Sequence, residues 1–272
     1  MLGRLFGGAE PRLAPLKQEH LRAVVDIIAE TDEDDAAEAE ENITASGGAG
    51  MFVLLENRKV VGVTGALPAD GAEGVAWLSW TYLAAACRGR GLGKQMVDLL
   101  LRELNAHEVR KIFIATSDCI EDGENIYAAA HRLYEEMGAT LELRLPDYHG
   151  PDAAMLVYGM LNPAFDAPEA AEEDAPLGMV VESAERAPDS DRIAALHWRE
   201  LTPDEDGPKV QGLAEQMAEI RSGNARAAVI ALTSPLSDLV AGALQAEGFR
   251  CVGSLSDYYA AGVDQVWWHA AK

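Results

Sequence analysis

Arg88, Arg90 and Lys94 are interleaved with Gly89, Gly91 and Gly93 in the stretch CRGRGLGKQM, a combination of cations and small residues suited to holding an anion. The setting makes the cluster unusual. The chain has 22 Lys and Arg against 45 Asp and Glu, a net charge of −23, and such a surface repels nucleic acid and anionic membranes. From Gly74 to Val97 there is nevertheless no Asp or Glu. Glycine lets a phosphate approach the backbone closely, and the first N–H groups of a helix have no partners within the helix. Phosphate or pyrophosphate is therefore the expected ligand. Two phosphate loops are excluded by position. A Walker A loop needs Gly and Ser or Thr where Arg88 and Gln95 stand, and a dinucleotide fingerprint counted from Gly89 ends on Lys94.

The elements that must position this loop are legible on either side of it. VAWLSWTYL (Val75 to Leu83) is rich in β-branched and aromatic residues and reads as a strand. GLGKQMVDLLLREL places Leu92, Met96, Leu99 and Leu100 on one helical face. The order strand, glycine turn, helix puts the cations at a helix start, where the dipole adds positive potential.

Arg88-x-x-Gly91-x-Gly93 resembles the R/Q-x-x-G-x-G/A pyrophosphate loop of the Gcn5-related N-acetyltransferases, the GNAT family. A second stretch, AAAHRLYEEMGATLELRLPDYHG (Ala128 to Gly150), resembles that family's other signature, through Leu133, Tyr134, Glu135, Gly138 and the turn Pro146-Asp147-Tyr148. KIFIATSD (Lys111 to Asp118) fits the buried strand between the two signatures. The resemblance runs from about residue 10 to residue 161. It implies an α/β (α+β) fold with a mixed, mostly antiparallel sheet flanked by helices, and acetyl-CoA as the co-substrate without a metal.

The resemblance also assigns roles. Arg88, Gly89, Arg90, Gly91, Leu92, Gly93 and Lys94 would cradle the pyrophosphate; Tyr82 and Leu83, at the end of the strand, would hold the pantetheine and polarise the thioester. An amine arrives as ammonium, with a pKa near 10, and must lose a proton before it attacks. Backbone N–H groups can stabilise the charge that grows on the carbonyl oxygen. The departing thiolate needs a proton, and Tyr134 occupies the family's position for that general acid. No Glu lies between Trp77 and Leu83, where many relatives keep a base, so Asp118 is the side-chain candidate and a water chain the alternative. Tyr127 stands where relatives often place Asn, and Asn125 lies close enough to share the cofactor contact; Trp80 and Tyr148 would border the acceptor.

Composition agrees with this reading. At 272 residues the chain suits one large or two smaller domains. No apolar run reaches the roughly 18 residues of a membrane helix. Cys87, Cys119 and Cys251 are far apart without metal spacing, which fits a soluble protein of the reducing cytoplasm. The acidic run Thr31 to Asn42 reads as a solvated helical face whose carboxylates could steer a cationic amine.

Asn162 to Gly178, rich in Pro, Ala and acids, reads as a linker that separates a catalytic domain (1–161) from a tail (179–272). The tail echoes the first half at an offset of 110, where Gly248, Asp257 and Tyr258 follow Gly138, Asp147 and Tyr148, and GLAEQM echoes GLGKQM at 121. It resembles a shortened, degenerate GNAT-like unit. Tyr134 meets Leu244, and Arg88, Gly89, Arg90 and Gly93 meet Lys209, Val210, Gln211 and Ala214. We expect a helix around Ile193 to Leu201, little room for middle strands, and Ala227 to Leu232 as an early strand in an alternative register. The expected activity is acetyl transfer from acetyl-CoA to the primary amine of a small cationic molecule or amino acid. The alternatives are a protein N-terminus or lysine as acceptor, and a non-catalytic acyl-CoA-binding or scaffold protein. A homodimer is compatible with each.

Overall fold

The computed structural model describes residues 10–163, 165, 175–201 and 207–272; most of the expected linker lies outside them. The N-terminal half begins with β1 (Arg12–Pro15), α1 (Leu21–Ala29), α2 (Glu33–Ser46), β2 (Met51–Glu56), β3 (Lys59–Pro68) and β4 (Val75–Leu83). It continues with α3 (Leu92–Asn105), β5 (Lys111–Ser117), the small hairpin β6 (Ile120–Glu121) and β7 (Glu124–Asn125), α4 (Ala128–Glu136), β8 (Thr140–Gly150) and β9 (Ala153–Leu161). The C-terminal half contains β10 (Met179–Arg186), β11 (Ile193–Glu200), β12 (Val210–Gln211), α5 (Leu213–Ser222), β13 (Ala227–Thr233), α6 (Asp238–Ala246), β14 (Arg250–Ala260) and β15 (Val263–Ala271).

Thirteen of these strands form one sheet in the order β1-β2-β3-β4-β5-β9-β8-β14-β15-β13-β11-β10-β12. Pairing is antiparallel except for β4 with β5, β11 with β13 and β10 with β12. The two halves repeat one pattern. In each, a strand lies parallel to the next after a helix (β4 and β5; β11 and β13), and a terminal hairpin (β8 and β9; β14 and β15) closes on that second strand. Among the described residues, β1, α1, α2 and β2 have no counterpart in the second half.

Ile193–Glu200, expected as helix, is strand β11. A short run such as IAALHW fits either structure on periodicity alone. Here β10 pairs with one of its edges and β13 with the other, and two sets of sheet hydrogen bonds outweigh the helix propensity of Ala and Leu. Ala227–Thr233 follows α5 as the partner of β15, so it occupies the place of β5 and not that of an early strand.

Each face of the sheet carries its own core. α3 and α4 pack on one face through Val97, Leu100, Leu104, Leu133 and Tyr134. α1 and α2 cover the other through Val24, Ile28, Ala39 and Ile43 against Val53 and Val63. α5 and α6 pack on the second half through Met217, Ile220, Val240 and Leu244. A further core is shared by both halves, with Phe113, Leu143, Leu145 and Val157 meeting Ile193, Val229, Leu255 and Tyr258.

The contacts that fasten the halves are reciprocal. Arg110, just before β5, donates to Glu73 O at 3.3 Å and reaches across to Asp257 O at 2.6 Å and Tyr258 O at 3.1 Å. Arg226, just before β13, donates to Asp191 O at 3.1 Å and reaches back to Asp147 O at 2.5 Å. Their backbones match as well: Arg110 N–H goes to Gly74 O and Arg226 N–H to Arg192 O, each at 2.7 Å. At the joint, Gly253 faces Leu143, and a Cβ added there would lie 2.6 Å from Glu142 O. Glu142 is buried beside Lys111 at 2.8 Å and also accepts from Ser256 N–H at 2.7 Å, so its charge is both paired and hydrogen-bonded.

Candidate active site

The glycine turn sits at the open end of β4. β4 pairs with β5 only at Val75, Ala76 and Trp77, although β4 runs on to Leu83 and β5 to Ser117. The two strands therefore diverge and leave a wedge. On the far side of β4, Val63 pairs with Tyr82 and Gly65 with Ser79, so β4 holds one residue too many. That is a β-bulge, and Trp80 in it adopts φ 36°. A bulge bends its strand and leaves the extra residue out of the ladder. Ala84 N–H donates to Val61 O at 3.0 Å. By strand alternation Leu83 then turns its own N–H and C=O toward the wedge.

The loop runs from there into α3, which opens on Gly91 at φ 76°, with Gly89 at φ 71°. No atom lies within 4 Å of a Cβ added at either. The space above the turn is therefore open, and the left-handed backbone explains the glycines. Leu92 turns its side chain into the core beside Met96 and Cys87, so only its backbone can serve a ligand. Gly93 lies where a Cβ would meet Leu133 at 3.4 Å, which lets α3 run close to α4. An open turn, a helix start and unpaired strand backbone fit a phosphorylated ligand with an amide-bearing arm.

The stretch without acids in sequence is not without acids in space. Arg90 forms an ion pair with Glu56 at 2.6 Å, which holds the Glu56 carboxyl below its ordinary range. Lys94 lies 3.8 Å from Asp98. Glu30, from the end of α1, accepts the Ala85 N–H at 2.5 Å. Arg88 pairs with no carboxylate among the described residues; its Nε donates to Leu83 O at 3.0 Å and its Nη2 to Thr31 Oγ1 at 2.7 Å.

Tyr134 is 6% exposed in α4, its ring 6.0 Å from that of Tyr158. Burial pushes its phenol up to about 12, and its hydroxyl makes no hydrogen bond among the described residues. It therefore stays protonated and can donate. Asp118 is poorly suited to be a base. Burial opposes its ionisation, but the Ala154 N–H at 2.7 Å and Arg144 at 2.7 Å outweigh this and hold its carboxyl below the ordinary range. Both oxygens are thus committed to fixing β9 and β8. Tyr148 also differs from its expected place at the acceptor. It is buried, and its hydroxyl donates to Pro188 O in the second half at 2.8 Å. Asn125 Oδ1 accepts the Tyr127 N–H at 2.8 Å, so it shapes the start of α4.

What position alone did not single out is a polar strap across the wedge. Asp35 accepts a short hydrogen bond from Tyr82 and another from Tyr127 at 3.2 Å; Tyr127 also lies 3.4 Å from Asp32. Burial, then the neighbouring Asp32 charge, raise the Asp35 carboxyl above its ordinary range, against the lowering effect of Tyr82. Burial and the two aspartates push both phenols strongly upward. Asp32 also caps α2, accepting from Asp34 and Asp35 N–H. The signal was present: Asp32, Asp35 and Glu38 recur at i, i+3 and i+6, which puts them on one helical face. Cys119 is partly buried, and burial with nearby carboxylates keeps its thiol protonated. Among the described residues no group of His, Cys, Asp and Glu could hold a metal ion, and no helix is long and apolar enough to cross a membrane.

The corresponding wedge in the second half, where β11 and β13 pair only from Ile193 to Ala195, is spanned by Trp198, whose Nε1 donates to Ala231 O at 2.7 Å.

Comparison with known proteins bears on the first half. No curated protein matches the sequence. Solved structures with a similar fold include one described as an acetyltransferase of the GNAT family from Desulfovibrio desulfuricans, at 22% identity over 56% of this chain and 98% of that one, with a TM-score of 0.48. Others are an aminoglycoside 6′-N-acetyltransferase complexed with coenzyme A (16% identity, 58% and 99% covered, TM-score 0.48) and the ribosomal-protein-S18-alanine N-acetyltransferase of Escherichia coli (17%, 60% and 100%, TM-score 0.47). Residues 17–139, which hold the bulged strand, the glycine turn and the helix with Tyr134, match the model of the acetyltransferase (GNAT) family. The N-terminal half of the chain thus carries a GNAT acetyltransferase domain at residues 17–139.

Proposed function

We propose that the protein transfers the acetyl group of acetyl-CoA to the primary amine of a small cationic molecule. The observation that carries the reading is the wedge itself: diverging strands, a bulge, and an open glycine turn at a helix start, within the matched domain. Acetyl-CoA supplies the thioester carbonyl and the thiol leaving group. Gly89, Gly91 and the first N–H groups of α3, with Arg88, Arg90 and Lys94, would hold the pyrophosphate. Leu83 presents backbone to the arm. Tyr134 delivers the proton that the sulfur takes up as the amine nitrogen bonds to the acetyl carbon. Asp118 is too strongly ion-paired for the base, so the ammonium proton leaves by water or through Asp35.

The cationic acceptor is supported by charge. Asp32 and Asp35 meet Tyr82 and Tyr127 across the wedge, and Glu38 follows them on α2, in a protein of net charge −23. A field of that sign concentrates cations. The tail we read as a second, degenerate GNAT-like unit that walls the acceptor side. Its strand order repeats that of the first half, but Leu244 stands for the general acid and Trp198 bridges its wedge.

Release of CoA thiol with a panel of amines, amino acids and peptides tests the acceptor class. Thermal unfolding tests the cofactor: at a hundred times its Kd a ligand of the native state adds about 2.7 kcal/mol. We expect that shift with acetyl-CoA and none with ATP or NAD. No shift at saturation removes the cofactor assignment, and thiol release with peptides alone removes the small acceptor.

A further inference from the structure

The apolar stripe of α2, Ala36, Ala39 and Ile43, is buried against the sheet, and Asp32 and Asp35 continue that stripe at the start of the helix. Asp35 is consequently half-buried, on the side of α2 turned toward β4. A carboxylate drawn out of water needs hydrogen-bond donors. Two reach it from opposite flanks of the wedge: Tyr82, the residue before Leu83 in β4, and Tyr127, just ahead of α4. Both donate to the same oxygen, Oδ2, Tyr127 at 3.2 Å. Oδ1 has no hydrogen-bond partner among the described residues.

Neighbouring carboxylates are committed elsewhere. Asp32 Oδ1 accepts the Asp34 and Asp35 N–H at 2.9 and 3.1 Å, and its Oδ2 lies 3.4 Å from the Tyr127 hydroxyl. Glu30 holds the Ala85 N–H at 2.5 Å, Glu56 holds Arg90, and Asp118 is bound by Arg144 and the Ala154 N–H. Asp35 differs: one oxygen is anchored to both flanks of the wedge, and the other is left to accept a proton. Around it stand Asp32 and Glu38 on its own helix, Tyr82 from β4, Tyr127 from the start of α4 and His149 from β8. Burial and the Asp32 charge favour its neutral form, while both phenols and His149 favour the ionised one, and the balance lies above the ordinary carboxylate range. A carboxylate with raised affinity for protons is better matched to an ammonium than an ordinary one.

We propose that Asp35 is the general base of the transfer, its Oδ1 taking a proton from the ammonium of the acceptor, and that Tyr82 and Tyr127 are the residues that position it. The inference rests on the acetyl-transfer reading above and selects the carboxylate over the water route. The ammonium gives one proton to Asp35. Its nitrogen then bonds to the acetyl carbon, the carbon–sulfur bond breaks, and the sulfur takes the proton of Tyr134. The second proton shed by the nitrogen returns to Tyr134 through water, and Asp35 passes its own to solvent. One proton is thus released for each acetyl group moved.

Thiol release by the full chain at saturating acetyl-CoA tests this with two amines: ethylamine, protonated at neutral pH, and 2,2,2-trifluoroethylamine, which is not. Asp35→Asn, whose amide oxygen can still accept from both phenols, should lower kcat/KM for ethylamine by about 10²- to 10⁴-fold. The fluorinated amine arrives neutral and should lose far less. With the wild type, kcat/KM for ethylamine should fall on the acid side as Asp35 takes up its proton and level off above. Tyr82→Phe and Tyr127→Phe should each move that limb to higher pH, because the carboxylate loses a donor. In Asp35→Asn the limb should give way to a rate that rises with pH up to the pKa of the amine itself, about 10. Each variant should keep the wild-type thermal shift with acetyl-CoA; if Asp35→Asn loses it, the limb in the phenylalanine variants decides alone. Equal losses with both amines, or a limb that neither phenylalanine variant moves, overturns the inference and leaves the acetyl-transfer function standing. A tyrosine whose removal leaves the limb in place has no positioning role. No thiol release from the wild type with ethylamine overturns the small-amine reading, and the base with it.

Discussion

Tyr134 shows how a single residue's environment fixes its chemistry. Its type and its place in L-Y-E-x-x-G could be read from sequence, but a tyrosine at helical spacing is equally a packing residue. The structure places its ring beside Tyr158, leaves its hydroxyl without a hydrogen-bond partner among the described residues and raises its phenol to about 12 through burial. An acid of that strength keeps its proton across the working range. We predict that Tyr134→Phe lowers kcat by about 10²- to 10⁴-fold with acetyl-CoA affinity nearly unchanged. The wild-type kcat should show no loss assignable to Tyr134 as pH rises, until pH approaches about 12. Unchanged kcat in the variant, with chemistry rate-limiting, would leave Tyr134 a core residue. Asp118 is the contrary case. Its type suited a base, but only the fold could bring Arg144 and the Ala154 N–H to it.

Among the elements, β4, the glycine turn and α3 carry most of the candidate site. Their bounds could be read almost to the residue, because β-branched and aromatic residues, three glycines and a helical apolar face follow one another without ambiguity. The bulge at Trp80 could not be read, since an extra residue shows only against the strand opposite. Gly91 is the position where backbone freedom matters most. No atom opposes a Cβ there, so Gly91→Ala tests the cost of the left-handed backbone alone. We predict a loss of about 1–2 kcal/mol in unfolding free energy, seen in denaturant melts, together with weaker acetyl-CoA binding. Unaltered stability would mean that the turn relaxes to another conformation without cost. The helix expected around Ile193 illustrates the reverse case, where pairing on both edges decided against local propensity.

For the whole molecule, the shared core is the governing feature. Trp77 and Phe113 lie tilted against Tyr258 with ring centroids 6.4 and 5.5 Å away, and Leu143 and Val157 meet Ile193, Val229 and Leu255. Large apolar interfaces of this kind hold domains rigidly. Deleting residues 163–272 should therefore expose this surface and leave the N-terminal half poorly soluble and aggregating, as size-exclusion chromatography would show. A soluble, monodisperse truncation with wild-type amine kinetics would exclude any role of the tail in the acceptor groove.

What depends on near neighbours along the chain was legible in residue type: the strand, turn and helix of the proposed phosphate cradle, the helix with Tyr134, the hairpin with Asp147, and the GNAT signatures that the match over residues 17–139 bears out. The sequence also revealed the internal echo at an offset of 110, because hairpins keep their turn residues. Only the tertiary structure decided which charges meet. Glu30 and Glu56 approach the loop from remote elements, Asp35 finds Tyr82 and Tyr127, and Arg110 and Arg226 exchange contacts between halves. Local backbone preference acts over a few residues and is written in residue type. Electrostatic pairing and the sharing of a core act through space, between segments whose separation in sequence carries no signal, and so they exist only once the sheet has joined both halves.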